Sequence, residues 1–240
     1  MDELVHRIGH AVASRSHLRL ALVDAAQLAL MRSSEELEGQ VLSCEFRCAD
    51  GQTLVWLSRL LGRPLPERIT GPDLLARLLP LAGDAGWRVL LVGGRPERFE
   101  RTLETLRRLL GARATLAGFA FPRDPAEESS LVARIVSFRP DLLLTGLPTP
   151  LEERFLFEHR LALGRVPFVA GLGGSFDFFS GAVRRAPRWM RRAGLEWLHR
   201  FLQEPRRKLR SEVVLPLAFY SGLARDAISP RAPDATRERG

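Results

Sequence analysis

The chain has 240 residues, 45% of them hydrophobic, with 36 Lys/Arg against 28 Asp/Glu for a net charge of +8. That length suits one large α/β domain or two small ones with a sizeable core. There is no run of 18 uncharged apolar residues, which excludes a spanning helix, and the opening MDELVHRIGHAVASRSHLRL is too polar for a secretory leader, which points to the cytoplasm.

Residues 2–16 pattern as a short amphipathic helix; His6 and His10 sit four apart on it without a third ligand and read as a solvated face. Leu18–Val23 is the first predicted strand, followed by helical patterns through Leu42. Cys44 and Cys48, the only cysteines, read as small hydrophobes four apart on a helix rather than a disulfide or half a zinc site. Asp50-Gly51 breaks the pattern, and helices are predicted over 52–61 and 71–81. Strands and helices then alternate: Arg88–Val92 and Pro96–Leu110, Ala114–Phe119 and Pro125–Phe138, Asp141–Leu144 and Pro150–Leu163. Val166–Ala170 runs into a glycine-rich turn. This alternation predicts an α/β fold, a parallel sheet with helices on both faces. The body ends near residue 183. A basic amphipathic appendage follows over 184–228, with an apolar helical run at Ser211–Asp226, and the Pro/Arg/Asp-rich tail 229–240 is predicted to be disordered.

Between Arg184 and Arg210 stand ten Lys/Arg and two acids, Glu196 and Glu204, an excess of eight that accounts for the whole net charge. Trp189, Trp197, Leu195, Leu198, Phe201 and Leu202 are threaded through it. Arginine interleaved with aromatics suits a phosphate-bearing partner at an apolar surface: nucleic acid, anionic lipid or a lipid-linked diphosphate. The helix-like apolar spacing and the lack of a nucleic-acid-binding motif argue against nucleic acid. A plain solvated face is the alternative.

Ligands of open parallel sheets sit at the carboxyl ends of the strands. Three segments fall there. Gly93-Gly94 ends a strand and can bring backbone N–H groups to a phosphate, or be a bare turn. The same two readings apply to Gly171-Leu172-Gly173-Gly174-Ser175-Phe176-Asp177. Asp50-Gly51 is either turn chemistry or a carboxylate that takes the proton of an attacking hydroxyl. No Ser-His-Asp order stands out, no Walker loop occurs and there is no DxD pair of the kind that holds a metal on a nucleotide sugar, and no residue is assigned to a metal or bound cofactor.

The elements occur in a recognisable order: Asp50-Gly51, then Arg68-Ile69-Thr70-Gly71-Pro72-Asp73-Leu74, then Gly93-Gly94, then Gly171 to Asp177 with Gly181. Arg185-Ala186-Pro187-Arg188-Trp189, Gly194-Leu195-Glu196-Trp197 with Arg200, and Glu204-Pro205-Arg206-Arg207 complete it. Over roughly residues 20–210 this set resembles the WecG/TagA/CpsF family of bacterial glycosyltransferases. The resemblance implies a Rossmann-like body and an inverting, metal-independent enzyme of surface-polysaccharide biosynthesis (capsule or exopolysaccharide). The reaction implied moves a sugar, typically N-acetylmannosamine, from a UDP-sugar to a polyprenyl-diphosphate-linked sugar. The place implied is the anionic cytoplasmic face of the inner membrane, held peripherally; a homo-oligomer is allowed.

The same resemblance carries Asp50 over as the base, and Arg200 and Arg207, with Arg185 and Arg210, as cations on the leaving diphosphate. Gly93, Gly94, Gly171, Gly173, Gly174 and Asp177 become nucleotide-sugar contacts, with Arg68, Thr70 and Asp73 beside them. Two elements depart from the family. Its Thr-x-Asn is here Leu22-Val23-Asp24, and its P-K-Q-E-x-W is Pro150-Leu151-Glu152-Glu153-Arg154-Phe155. Asp24, Pro150, Glu152 and Glu153 remain as substrate contacts. Exchanging Gln for Glu replaces a group with two donors by one with acceptors only, which predicts a changed donor preference or weak activity. The alternative is a divergent homologue that binds a nucleotide sugar or partner enzyme without catalysis.

Overall fold

The computed structural model describes residues 1–228. The tail from 229, expected to be disordered, lies outside the described residues. In chain order the body runs α1 (Asp2–Ser14), β1 (Leu18–Val23), α2 (Ala25–Met31), α3 (Glu35–Leu42), β2 (Phe46–Ala49), α4 (Gln52–Leu60) and α5 (Gly71–Ala85). It continues with β3 (Arg88–Gly93), α6 (Pro96–Leu110), β4 (Thr115–Phe119), α7 (Glu128–Phe138) and β5 (Leu142–Gly146). Then come α8 (Leu151–Glu158), α9 (Arg160–Leu163), β6 (Phe168–Gly171) and α10 (Phe176–Phe179). The appendage comprises α11 (Arg188–Arg192), α12 (Glu196–Gln203), α13 (Pro205–Lys208), a π-helical turn (Leu209–Val214) and α14 (Leu215–Ile228).

All six strands are parallel, in the order β2-β1-β6-β5-β3-β4. The central strands read as continuous apolar runs because both faces are covered. Their period of two distributes them cleanly: Val89, Leu91, Leu142, Leu144, Phe168 and Ala170 enter one core with α1, α5 and α6. Leu90, Val92, Leu143 and Val169 enter the other, with α7, α8 and α9. A third, smaller cluster joins Ala25, Ala49, Leu54, Val55 and Phe219, so α14 folds back onto α2 and α4.

Three local expectations are corrected. The segment after α3 is a strand, so Cys48 lies on β2 and Cys44 precedes it; both are half-buried free thiols, not helix neighbours. Phe46 and Cys48 pack on the core while Glu45 and Arg47 face solvent, the alternation of a charged edge strand too short to stand out in sequence. Helix α5 runs to Ala85 with Pro80 inside it, and the single helix expected over 150–163 is divided at His159. His6 and His10 are exposed, as a solvated face requires.

Candidate active site

The carboxyl ends of β1 and β2 and the folded-back appendage enclose a cleft of about 340 Å³. Asp24, Asp50, Gln52, Arg68 and Thr70 face it from the body; Glu196, Trp197, Arg200, Glu212, Leu217 and Tyr220 face it from the appendage. Asp50 arrives there because its N–H donates to Val23 O at 2.8 Å, extending the β1–β2 ladder by one residue. Gly51 then turns the chain into α4 at φ +150°, a conformation that only glycine adopts without strain. Asp24 caps α2, accepting from Gln27 N at 2.7 Å. Tyr220 donates to Thr53 Oγ1 at 2.7 Å, pinning α14 to α4 at the cleft wall.

Two carboxyls thus line the same end of the cleft, Asp50 half-buried and Asp24 open to solvent. Burial, then repulsion by Asp24, pushes the Asp50 carboxyl up to about 7, with Arg200 and Arg68 pulling the other way. Burial raises Asp24 as well. Arg200 is the arginine here with the least engaged fork. Its guanidinium lies 5.0 Å over the Phe178 ring, its nearest acid is Glu212 Oε1 at 3.9 Å, and its buried Nε has no hydrogen-bond partner. It comes so close to the β6 turn that a Cβ on Gly174 would stand 2.9 Å from Nη2. A cation with spare donors therefore shares the cleft with a carboxylate poised near neutrality.

Most other predicted residues lie outside the cleft lining or are committed to ion pairs, and Thr70, though on the lining, is taken up by the start of α5. Thr70 caps α5 and donates to Asp73 Oδ2 at 2.7 Å. Asp73 takes Arg185 through both oxygens, at 2.8 and 3.2 Å. Burial alone would raise the Asp73 carboxyl, but hydrogen bonds from Arg185 and Thr70 outweigh it and hold the pKa low. Arg68 pairs with Glu196 at 3.1 Å and Arg185 with the same carboxylate at 3.3 Å. A second cluster gathers Arg207, Arg98 and Arg95 around buried Asp177, at 3.0, 3.2 and 3.8 Å, with Glu204 bridging Arg98 and Arg207. These two networks clamp the appendage to the body. Asp50 and Arg200 meet in the cleft; Arg207 is held by Asp177 and Glu204, and Arg210 is exposed with no ion pair among the described residues. Gly93 and Gly94, at φ +83° and +85°, pack against Leu147, Phe99 and Phe176 rather than lining the cleft.

Pro150 immediately precedes α8, whose Glu152 and Glu153 face a separate cavity of about 30 Å³, the size of one water. Glu152 accepts from Thr145 Oγ1 (2.8 Å), Leu147 N (2.9 Å) and Gly173 N (3.1 Å), tying the ends of β5 and β6 together beneath Gly171. Glu153 accepts from Thr149 Oγ1 at 3.0 Å and from Gln27. Burial, then Glu153, pushes the Glu152 carboxyl up to about 8 from an ordinary 4.5. The native state thus keeps a proton the unfolded chain has lost, so this contribution is complete below about pH 4.5 and is lost as pH rises through 8. The melting temperature is expected to fall between about pH 5 and pH 9, and less steeply in Glu152→Gln. Equal slopes in the two proteins remove Glu152 as the cause.

One group of metal-ligand type occurs among the described residues, Glu128, Glu158 and His159. It lies outside the cleft, and Arg154 already pairs with both carboxylates, at 2.6 and 2.5 Å. Sequence inspection named no role for Phe178, Glu196, Glu212 or Tyr220. Glu196 belongs to the Gly194-Leu195-Glu196-Trp197 element, but the others are brought together only once α10, the π-helical turn and α14 are folded onto the cleft.

The family model for the "Glycosyl transferase WecG/TagA/CpsF family" matches residues 1–233. The chain is also similar to an N-acetylglucosaminyldiphosphoundecaprenol N-acetyl-beta-D-mannosaminyltransferase of Bacillus spizizenii (strain ATCC 23059 / NRRL B-14472 / W23), 35% identical over 172 residues. That match covers 71% of this chain and 65% of the Bacillus enzyme, slightly under two thirds of its length.

Proposed function

The chain belongs to the WecG/TagA/CpsF family of glycosyl transferases, and from that premise we propose that it moves an N-acetylmannosamine-like sugar from a UDP-sugar to a polyprenyl-diphosphate-linked acceptor, for surface polysaccharide. The observation that carries the chemistry is Asp50, raised to about 7, in one cleft with the spare donors of Arg200. A base works best with a pKa near the working pH, where it is both ionised and basic enough to take a proton.

The acceptor hydroxyl oxygen attacks the anomeric carbon from the face opposite the diphosphate, and its proton passes to Asp50. The bond from that carbon to the phosphate oxygen breaks, its electron pair leaving with the nucleotide. A single displacement of this kind inverts the anomeric centre. Arg200 meets the growing negative charge, in place of a divalent cation. Arg207 is already engaged by Asp177 and Glu204, so the primary role goes to Arg200.

Lipid-linked substrate requires a membrane surface. No helix among the described residues is long and apolar enough to cross one. Exposed Trp189, Leu202 and Leu217, with the appendage arginines, support peripheral attachment to an anionic cytoplasmic leaflet. The direct test is a screen of UDP-sugars for UDP release with a short-chain lipid-diphosphate acceptor. Release with an N-acetylmannosamine donor is expected; no release with any donor overturns the catalytic reading and leaves a binding protein.

A further inference from the structure

Helix α4 buries Leu54 and Val55 against α14, but its far end points apolar groups into solvent. Leu60 is 85% exposed, Leu61 63%, Trp56 42% and Leu65 39%. Residues 52–66 hold no acid and carry Arg59 and Arg63, both exposed and without an ion pair among the described residues. Nothing in the body's packing uses these leucines. An apolar tip beside unpaired cations is the surface chemistry of a protein that dips into a charged interface.

The tip is continuous with the appendage. Gly194, in the turn between α11 and α12, rests on Trp56 so closely that a Cβ there would stand 3.1 Å from the ring. Arg68 Nη1 donates to Arg191 O at 3.4 Å, joining the loop after α4 to α11. Next to these contacts are exposed Trp189, Arg188 and Arg192, in a stretch over 184–195 that likewise holds no acid. Gln52, Gly194, Trp197 and Leu217 belong both to this region and to the cleft lining. The face therefore borders the cleft.

We propose that the tip of α4 is a second membrane-docking element, which lowers Leu60, Leu61 and Leu65 into an anionic leaflet beside the appendage and holds the cleft against the lipid surface. The proposal rests on the reading that the acceptor is lipid-linked. Charge selects the occupant. Two copies of a face whose flanking acids, Glu67 and Glu196, are already paired and whose Arg59 and Arg63 are not would repel one another, whereas anionic headgroups neutralise it. A duplex would satisfy the arginines and leave the leucines in water.

The full chain is cosedimented with acceptor-free vesicles of phosphatidylglycerol and phosphatidylcholine, and of phosphatidylcholine alone. Binding to the anionic vesicles is expected. Leu60→Glu/Leu61→Glu should weaken it on the order of a hundredfold, and Arg59→Glu/Arg63→Glu by about tenfold or more. Both variants should melt with the wild type and transfer normally to a short-chain, detergent-soluble acceptor. Unchanged vesicle binding by the leucine variant overturns the proposal. So does a wild-type dimer in light scattering that the same substitutions split into monomers. Because the vesicles hold no acceptor, a failed transfer assay leaves the binding result standing, and the reverse.

Discussion

An Asp50→Asn variant is expected to lose sugar transfer by about a thousandfold, the usual worth of a positioned base, while remaining folded. The substitution keeps the shape of the side chain and removes its capacity to take a proton. It should not cost stability at neutral pH, because burial already disfavours the ionised form of this carboxyl. In the wild type, kcat/KM should rise with pH through about 7 and level off above, since the base works only when ionised. In the variant that rising limb should vanish with the activity. A folded Asp50→Asn enzyme with full turnover would remove Asp50 from the mechanism.

The sheet was legible in the sequence for a simple reason. The stretches from Val89 to Val92 and from Leu142 to Leu144 are buried on both faces, so they are apolar without interruption, with glycine or proline close by. β2 was not legible: four residues with a single charged outward position, Arg47, give a period-two pattern no longer than chance. Within the site, Asp50 stood out because it sits beside the glycine its turn needs. The division of labour among the arginines did not. Arg185, Arg200 and Arg207 are equivalent letters in one basic stretch, and only tertiary packing sets Asp73 and Glu196 against the first and Asp177 against the third. Arg200 is left facing the cleft, stacked on Phe178, a residue with no signal of its own. Similarly, nothing in the sequence shows that Glu152 accepts three hydrogen bonds that join the ends of β5 and β6, because its partners Thr145, Leu147 and Gly173 come together only in the fold.

Arg200 is where charge stabilisation and pKa control converge, so its removal should be read in two ways at once. Arg200→Ala is expected to lower kcat by about a hundredfold to a thousandfold with a smaller effect on KM, because the diphosphate gains its extra charge only as the bond breaks. The positive charge of Arg200 also holds the Asp50 carboxyl down against burial and Asp24. Without it, the rising limb of the pH profile should move to higher pH. Asp24→Asn removes a repelling carboxylate from the same end of the cleft, and the limb should move to lower pH. Arg200→Lys keeps the charge and loses the planar fork, so it should restore the position of the limb more fully than the rate. Opposite shifts in the Arg200 and Asp24 variants place both charges around one titrating carboxyl. A limb that stays put in both, with kcat still reduced in Arg200→Ala, would assign Arg200 to the diphosphate and give control of the base to burial alone.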